Sequence, residues 1–526
     1  MGDNLPAKRC TLTLSSALIA FLISVISCKA PQFTREQRTV QELSAIHPSN
    51  KYIKAHMRDG KVYVLYNWSF DSSANSMNGY GSLLDINRRT LEMRGDLKKA
   101  EVTEAVMPFN IQLSDIALIE TNDPGRSLAA PLAVVTGITG AVAIICLTNP
   151  KACFGSCPTF YAANKDTMML QAEGFSTSIA PSLEKNDIDM LYHAVATEEF
   201  DVVVTNEAME THMINHMKLL VFDRDDHERV FAGIDGMFYK CANISTASTC
   251  ISPLGDCKQT SESIDGVEYF SLADSTDLNT REELFLTFDN AGSSAGLVIA
   301  KRQTLMTTFL MYQGLAYMGN TAGHWLAEME RGKGPKNAHL FNLLGGIEVY
   351  TKDANGKWVL QGIMHETGPI ATDVNIVPLK GVPKGKLELK LRLNKGLWRL
   401  DHIALAQIVA AVEPKVVEPY TVEVIHGEEK NALDKLHDEK AYLVTYPGDA
   451  YRVRYRLPAT GVELFLDSKG YYLEWMRDVW IKEQSLAKLN MFIRKPGKYL
   501  KKAAPEFKKY EPTMEKTFWE SRYVHQ

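Results

Sequence analysis

The residues with chemistry to offer are thiols, a histidine pair and scattered carboxylates. Beyond residue 100 the cysteines are Cys146, Cys153, Cys157, Cys241, Cys250 and Cys257. An even set in an exported chain points to disulfides, and six cysteines allow about fifteen pairings. Cys153 with Cys157 and Cys250 with Cys257 are closest in sequence and are the preferred local bridges. A zinc site with Cys241 as third thiolate is the weaker reading, because the spacing is not that of a two-residue knuckle. His212 and His216 are four apart with Glu207 and Glu210 nearby, a pattern that would put two nitrogens on one face. Met209, Met213 and Met217 run at the same spacing, so core or surface histidines are expected and no metal is assigned. Asp223, Asp225 and Asp226 crowd a turn without the glycine and terminal glutamate of a calcium loop.

No zinc-protease helix or phosphate-binding loop occurs in the chain, and no catalytic set and no cofactor is expected. Carboxylates can still act through proximity alone. Glu366 and Asp373 in the segment Glu366-Thr-Gly-Pro-Ile-Ala-Thr-Asp373 are the pair a hydrolase would use. The chain has 526 residues, with 58 basic and 63 acidic side chains and a formal charge of −5. That balance argues against a nucleic-acid partner, which demands a basic excess.

The N-terminus carries an address. Lys8-Arg9 precedes the apolar run 11–26, which ends in Val25-Ile26-Ser27-Cys28. This layout is that of a secretory signal, and the last four residues resemble a bacterial lipobox whose cysteine receives the lipid. Residues 1–27 are thus read as a signal peptide and Cys28 as the lipidation site. Several acyl chains there would hold the protein at a membrane stably. Lys29-Ala30-Pro31-Gln32 follow with no aspartate beside the lipid, which favours the outer membrane, facing the periplasm. Residues 129–147 are uncharged and long enough to span, yet a span would return the cysteines to the cytoplasm. A buried or interfacial helix is preferred over a transmembrane one.

Elsewhere the turn signals point to sheet. Asp59-Gly60, Asp235-Gly236, Asp265-Gly266 and Asn355-Gly356 are two-residue hairpin signals, flanked in the first and last cases by alternating strands. Helices are expected over 304–330 and in the region 462–524, where Leu464, Leu466, Tyr472, Trp475 and Trp480 mark faces. From Asn490 to Gln526 nine Lys or Arg face four Glu, a basic stretch best read as a solvated helix face. The expected fold is mainly β with added α-helices (α+β), in several domains. The units are a small β-rich domain over 28–125, an apolar helix over 126–149 and a cysteine-containing β domain over 150–300. A helical segment over 301–335, a β-sandwich-like domain over 336–412 and a strand and helix region over 413–526 complete the chain.

Gly155-Ser156-Cys157-Pro158-Thr159-Phe160-Tyr161, Thr205-Asn206-Glu207-Ala208-Met209-Glu210-Thr211-His212 and Gly470-Tyr471-Tyr472-Leu473-Glu474-Trp475 resemble segments of an uncharacterised family of bacterial envelope lipoproteins common in the Bacteroidota. The resemblance covers about residues 150–520 and implies the cell envelope as the location, without an activity or substrate. Two functions follow as expectations. The first is a lipid-anchored, non-enzymatic protein whose β modules bind a glycan or a partner protein. The second is a glycosidase-like envelope hydrolase.

Overall fold

The computed structural model describes residues 33–38, 46, 52–57, 61–84, 90–95, 106–124, 157–165, 167–176, 178, 184–208, 210–292, 294–319, 343–353, 355–365, 367–427, 429–474, 483–520 and 522. The apolar segment 129–147, Cys28, Cys146, Cys153 and Glu366 lie outside these residues. The protein is mainly β with added helices, and its sheets are built almost wholly from antiparallel pairs.

The N-terminal unit is one seven-stranded sheet between Phe33 and Pro124. Ile53, Ala55 and Met57 alternate inward along Tyr52–Met57 and meet Leu65, Phe109, Ile111 and Ile116 in a core. Strands Tyr52–Met57 and Val62–Asp71 pair with Tyr52 opposite Tyr66 and His56 opposite Val62. The expected turn of that hairpin, 58–60, lies outside the described residues.

Two five-stranded sheets form a sandwich. One holds Lys185–Met190, Glu463–Glu474, Glu210–Phe222, Lys415–Val417 and Leu443–Thr445; the other holds Thr421–His426, Ala450–Arg456, Glu199–Thr205, Thr159–Asn164 and Thr167–Glu173. Phe160, Val202, Val204 and Val453 from one sheet meet Ile214, Leu219, Leu464 and Leu466 from the other. The short helix Ala432–His437 adds Ala432 and Leu436 to that core.

Between the two halves of this sandwich the chain makes a second module. Arg229–Gly233, Phe238–Thr246, Trp398–Val412, Ala295–Gln303 and Asp373–Pro378 close into a barrel, completed by the parallel contact of Ala232 with Asn375. Beside it lies a six-stranded sheet of Gly255–Asp256, Thr249–Ser252, Arg281–Ala291, Gly385–Asn394, Ile347–Lys352 and Trp358–Met364. Leu387, Leu389, Leu391 and Leu393 alternate inward, as period-two patterning requires, toward Ile299, Trp398 and Ile403. The helices α1 (Met306–Met318), α3 (Leu486–Arg494) and α4 (Pro496–Glu520) cover this core, with α2 being Ala432–His437 in the sandwich. Phe309 packs on Phe507 at 5.3 Å between centroids.

Strand pairing therefore crosses the boundaries drawn at 300 and 412. Arg281–Ala291 pairs with Gly385–Asn394, and Glu210–Phe222 pairs with Glu463–Glu474. Two helix expectations change. Residues 463–474 are a strand, because Leu464 and Leu466 face the sandwich core while Phe465 faces the barrel. A strand buried on both faces loses the period-two signature and reads as an apolar run. The helix expected over 304–330 is helical over Met306–Met318 and is followed by Gly319 at φ +51°; residues 320–342 lie outside the described set.

Trp398 is among the largest fully buried side chains. Trp398→Ala is expected to lower the stability of the barrel module by about 3–5 kcal/mol in chemical denaturation, the range for emptying such a site. Trp398→Phe costs less, because the indole N–H it removes finds no acceptor.

Candidate functional site

The segments whose sequence invited attention converge on the seam between sandwich and barrel. Gly174 N–H donates to the Pro158 carbonyl at 2.9 Å, and Tyr472 Oη donates to the Ser176 carbonyl at 3.1 Å. From the same corner Phe175 N–H reaches Asp187 Oδ2 at 2.6 Å. The loop 367–371 folds over Glu173: Ile370 N–H donates to its Oε2 at 2.7 Å, and the Cys157 thiol and Ala371 N–H also bond the carboxylate. Gly368 lies so close that a β-carbon there would meet the carboxylate, at 1.9 Å from Oε2, so only glycine lets the backbone pass.

Below Glu173 the seam is acidic. Asp189 is buried, and Asp187, Asp373 and Lys301 face it. Lys301, 1% exposed, donates to Asp373 Oδ2 at 3.0 Å and to Asn375 Oδ1 at 2.5 Å. Burial pushes the Glu173 carboxyl up to about 7 against the pull of its three donors. Burial, with the charges of Asp187, Asp373 and Glu173, also raises the Asp189 carboxyl well above its ordinary value, and Lys301 opposes the shift. Oε1 of Glu173 and Oδ2 of Asp189 meet no hydrogen-bond partner. A carboxyl kept neutral near pH 7 is the proper form for a general acid, but this one is 4% exposed and roofed by backbone. The arrangement joins a sandwich strand to the loop 367–371 before the barrel strand Asp373–Pro378. As for the hydrolase pair, Asp373 is engaged by Lys301 and Glu366 lies outside the described residues.

At the other edge of the corner, Tyr161 Oη donates to Glu207 Oε1 at 2.7 Å, and Arg522 Nη1 reaches Glu207 Oε2 at 3.0 Å. His212 is fully buried with Nε2 2.9 Å from Glu210 Oε1, whereas His216 lies 3.3 Å from Asp467. A β-bulge between Ile214 and His216 breaks the expected common face, because one extra residue reverses the alternation. No group of three metal-ligating side chains occurs among the described residues. Cys250 and Cys257 form a disulfide, with Cα atoms 5.1 Å apart. Cys157 is a buried free thiol that bonds Glu173, and Cys153, the partner expected for it, lies outside the described residues. Burial pushes the Cys241 thiol up to about 12. Tyr471 and Tyr472 are core residues, and Asp223 pairs with Lys415 at 2.7 Å.

The sequence did not single out the outer face of the six-stranded sheet. Across its strands Ile251 stands opposite Phe285, Phe285 opposite Lys390, Lys390 opposite Tyr350, and Tyr350 opposite Leu360. Phe285 and Trp358 have ring centroids 6.0 Å apart, and Lys390 Nζ lies 4.9 Å from the Tyr350 ring and 5.4 Å from that of Trp358. Ile251, Leu254, Phe285 and Leu360 are 43% exposed or more. Glu283 and Glu388 border the rings, paired with Lys390 and Lys352. The strand Gly385–Asn394 held the signal, since its outward positions Lys386, Glu388, Lys390 and Arg392 mark the open face. What no spacing disclosed was which aromatics from other strands lie alongside.

No family model matches the chain, and no curated protein matches it. Among solved structures, a glycoside hydrolase family 86 enzyme in complex with neoagarooctaose is 10% identical, with 42% of this chain and 33% of that one covered, at a TM-score of 0.15. A β-porphyranase of the same family from the human gut bacterium Bacteroides plebeius is 7% identical, with 48% and 39% covered, at 0.15. The VP2 subviral particle of infectious bursal disease virus is 9% identical, with 93% and 88% covered, at 0.16. The chain thus spans only about a third of the first of these, and at such scores none of the three bears on fold or function.

Because the Glu173 carboxyl lies above its ordinary value of 4.5, the folded state binds a proton more tightly than the unfolded one between about 4.5 and about 7. Stability contributed by that proton is present at low pH and is lost as pH rises through 7. The melting temperature is therefore expected to fall between about pH 4.5 and about pH 7, and to fall less in Glu173→Gln. Equal slopes in the two proteins would remove Glu173 from the account.

Proposed function

We propose that the protein is a lipid-anchored component of the bacterial cell envelope whose β modules bind a glycan without hydrolysing it. The observation that carries this reading is the outer face of the six-stranded sheet, where Phe285, Tyr350 and Trp358 surround Lys390. Sugar rings present an apolar C–H face and a rim of hydroxyls. Aromatic side chains offer the matching surface, and Glu283, Glu388, Lys352 and Lys390 offer donors and acceptors at the edge. Scattered exposed apolar residues are ordinary, but a contiguous set with a polar border marks a binding surface. The signal-like N-terminus with Cys28 supports the envelope location, as does the resemblance of the Gly155–Tyr161 segment to envelope lipoproteins. An outer-membrane position facing the periplasm follows from the residues after Cys28.

Pull-down with cellulose, chitin and peptidoglycan sacculi tests the binding. Trp358→Ala and Phe285→Ala are each expected to weaken retention by up to about tenfold, the loss of one aromatic contact of roughly 1 kcal/mol. Retention by none of the three polymers would turn the reading toward a protein partner. The anchor has its own check. Intact mass of the mature N-terminus should carry a lipid adduct that Cys28→Ala lacks, and an unmodified Cys28 would contradict it.

A further inference from the structure

The C-terminal helices carry a surface that the glycan reading leaves unused. From Leu486 to Lys502 the chain holds Lys488, Arg494, Lys495, Lys498, Lys501 and Lys502 and no carboxylate. α3 starts from Ser485, whose Oγ caps it by accepting from Lys488 N–H, and packs its Leu489 and Phe492 side inward. Phe492 lies over Gly314 of α1 and meets Tyr499 of α4 at 4.9 Å between centroids. The opposite side of α3 is open, and there Leu486 is 62% exposed and Ile493 51% exposed. The two are seven residues apart, two helical turns, so they share one face with Asn490 and Arg494.

Pairing sets this stretch apart from the later turns of α4. Later in α4, Lys508 pairs with Glu511, Lys509 with Glu506 and Lys516 with Glu520. On the outer sheet Lys352 and Lys390 have carboxylate partners as well. Among the described residues, no carboxylate pairs with Arg494, Lys495, Lys498 or Lys502, and Lys501 approaches Asp277 only to 3.8 Å. Lys488 rests over the Tyr317 ring at 5.1 Å. The stretch is a cationic field with two protruding aliphatic side chains. Charge alone would suit any polyanion. Cations combined with an outward apolar pair on one helix face suit a surface with phosphates outside and hydrocarbon beneath.

We infer that the exposed side of α3 and the first turns of α4 dock on an anionic lipid bilayer, with Leu486 and Ile493 entering the interface and Arg494, Lys495, Lys498 and Lys502 meeting the headgroup phosphates. This contact does not rest on the glycan reading or on a lipid at Cys28. Beside such a lipid it would be the second signal that converts marginal anchoring into stable anchoring.

Co-sedimentation of the full chain with vesicles tests the inference. Pure phosphatidylcholine is compared with phosphatidylcholine containing about 30% phosphatidylglycerol, at about 0.15 M and about 0.5 M salt. A lipid on Cys28 binds both vesicle types, so the readout is the excess on the anionic ones. The expected excess is about tenfold or more at the lower salt, since each basic residue near such a surface contributes about 1 kcal/mol. The excess should shrink at the higher salt. Charge reversal of Arg494, Lys495, Lys498 and Lys502 to Glu should abolish it, leaving phosphatidylcholine binding unchanged. Leu486→Asn with Ile493→Asn should reduce it several-fold. If charge reversal shifts the melting temperature, the four Gln substitutions replace it. Equal binding of wild type to both vesicle types, or an excess that survives loss of the charges, overturns the inference. Soluble polyphosphate that competes fully, together with an excess indifferent to Leu486 and Ile493, identifies an acidic polymer as the occupant and overturns the bilayer assignment.

Discussion

The structure depends on one long pairing. Glu210–Phe222 and Glu463–Glu474 run antiparallel with Thr211 opposite Leu473 and Phe222 opposite Glu463, although the whole barrel module lies between them in sequence. Closing a loop of about 240 residues costs about 5 kcal/mol of chain entropy before any contact is made. The pairing recovers this by burying both faces of Glu463–Glu474, with Leu464 and Leu466 toward the sandwich and Phe465 toward Phe222 and Phe238 at the barrel. Glu463 fixes the register where the chain leaves one module for the other. It accepts from Arg229 Nε at 2.6 Å and Nη2 at 2.9 Å, and from Val230 N–H at 3.2 Å. Its side chain is 4% exposed, and Arg224 lies beside the same carboxylate at 3.4 Å.

The seam so formed explains where the ionisable groups sit. Glu173, Asp189, Asp373 and Lys301 are held between modules because each belongs to a strand of the sandwich or of the barrel near the line where these meet. A second charged set, Arg302 and Arg399 with Glu268 and Glu515, ties α4 to the barrel at distances of 2.5 to 3.2 Å. Arg302 also bonds the Pro369 carbonyl at 3.0 Å, so the loop over Glu173 is held from both sides. Closed contacts of this kind fix module orientation. Among the described surfaces open to a partner are the outward side of the six-stranded sheet and the outward side of α3, each the reverse of a packed face.

Much of this was legible in the sequence where one face of an element meets water. Leu387 to Leu393 alternate because their strand has one wet side, and the hairpin signals Asp235-Gly236 and Asn355-Gly356 lie at turns whose glycines adopt φ +80° and +77°. Asp265-Gly266 also has positive φ, but its amides bond Asp401 and no hairpin forms. Legibility failed where tertiary contacts set the pattern. Glu463–Glu474 hides its period because two cores claim it. His212 and His216 separate because of a bulge no spacing reveals. The seam needs residues about 200 positions apart, such as Glu173 and Ile370, and the aromatic set on the outer sheet joins Phe285 to the hairpin residues Tyr350 and Trp358 from a distant part of the chain.

Hydrogen exchange of the full chain, with and without the polymer it retains, measures the central claim most directly, with the supernatant assayed for released sugar. The account predicts slowed exchange confined to Arg281–Ala291, Ile347–Lys352, Trp358–Met364 and Gly385–Asn394, and no released sugar. Protection centred on residues 367–373 and Lys185–Met190, accompanied by product, would contradict it and make the buried carboxyls of the seam the working site.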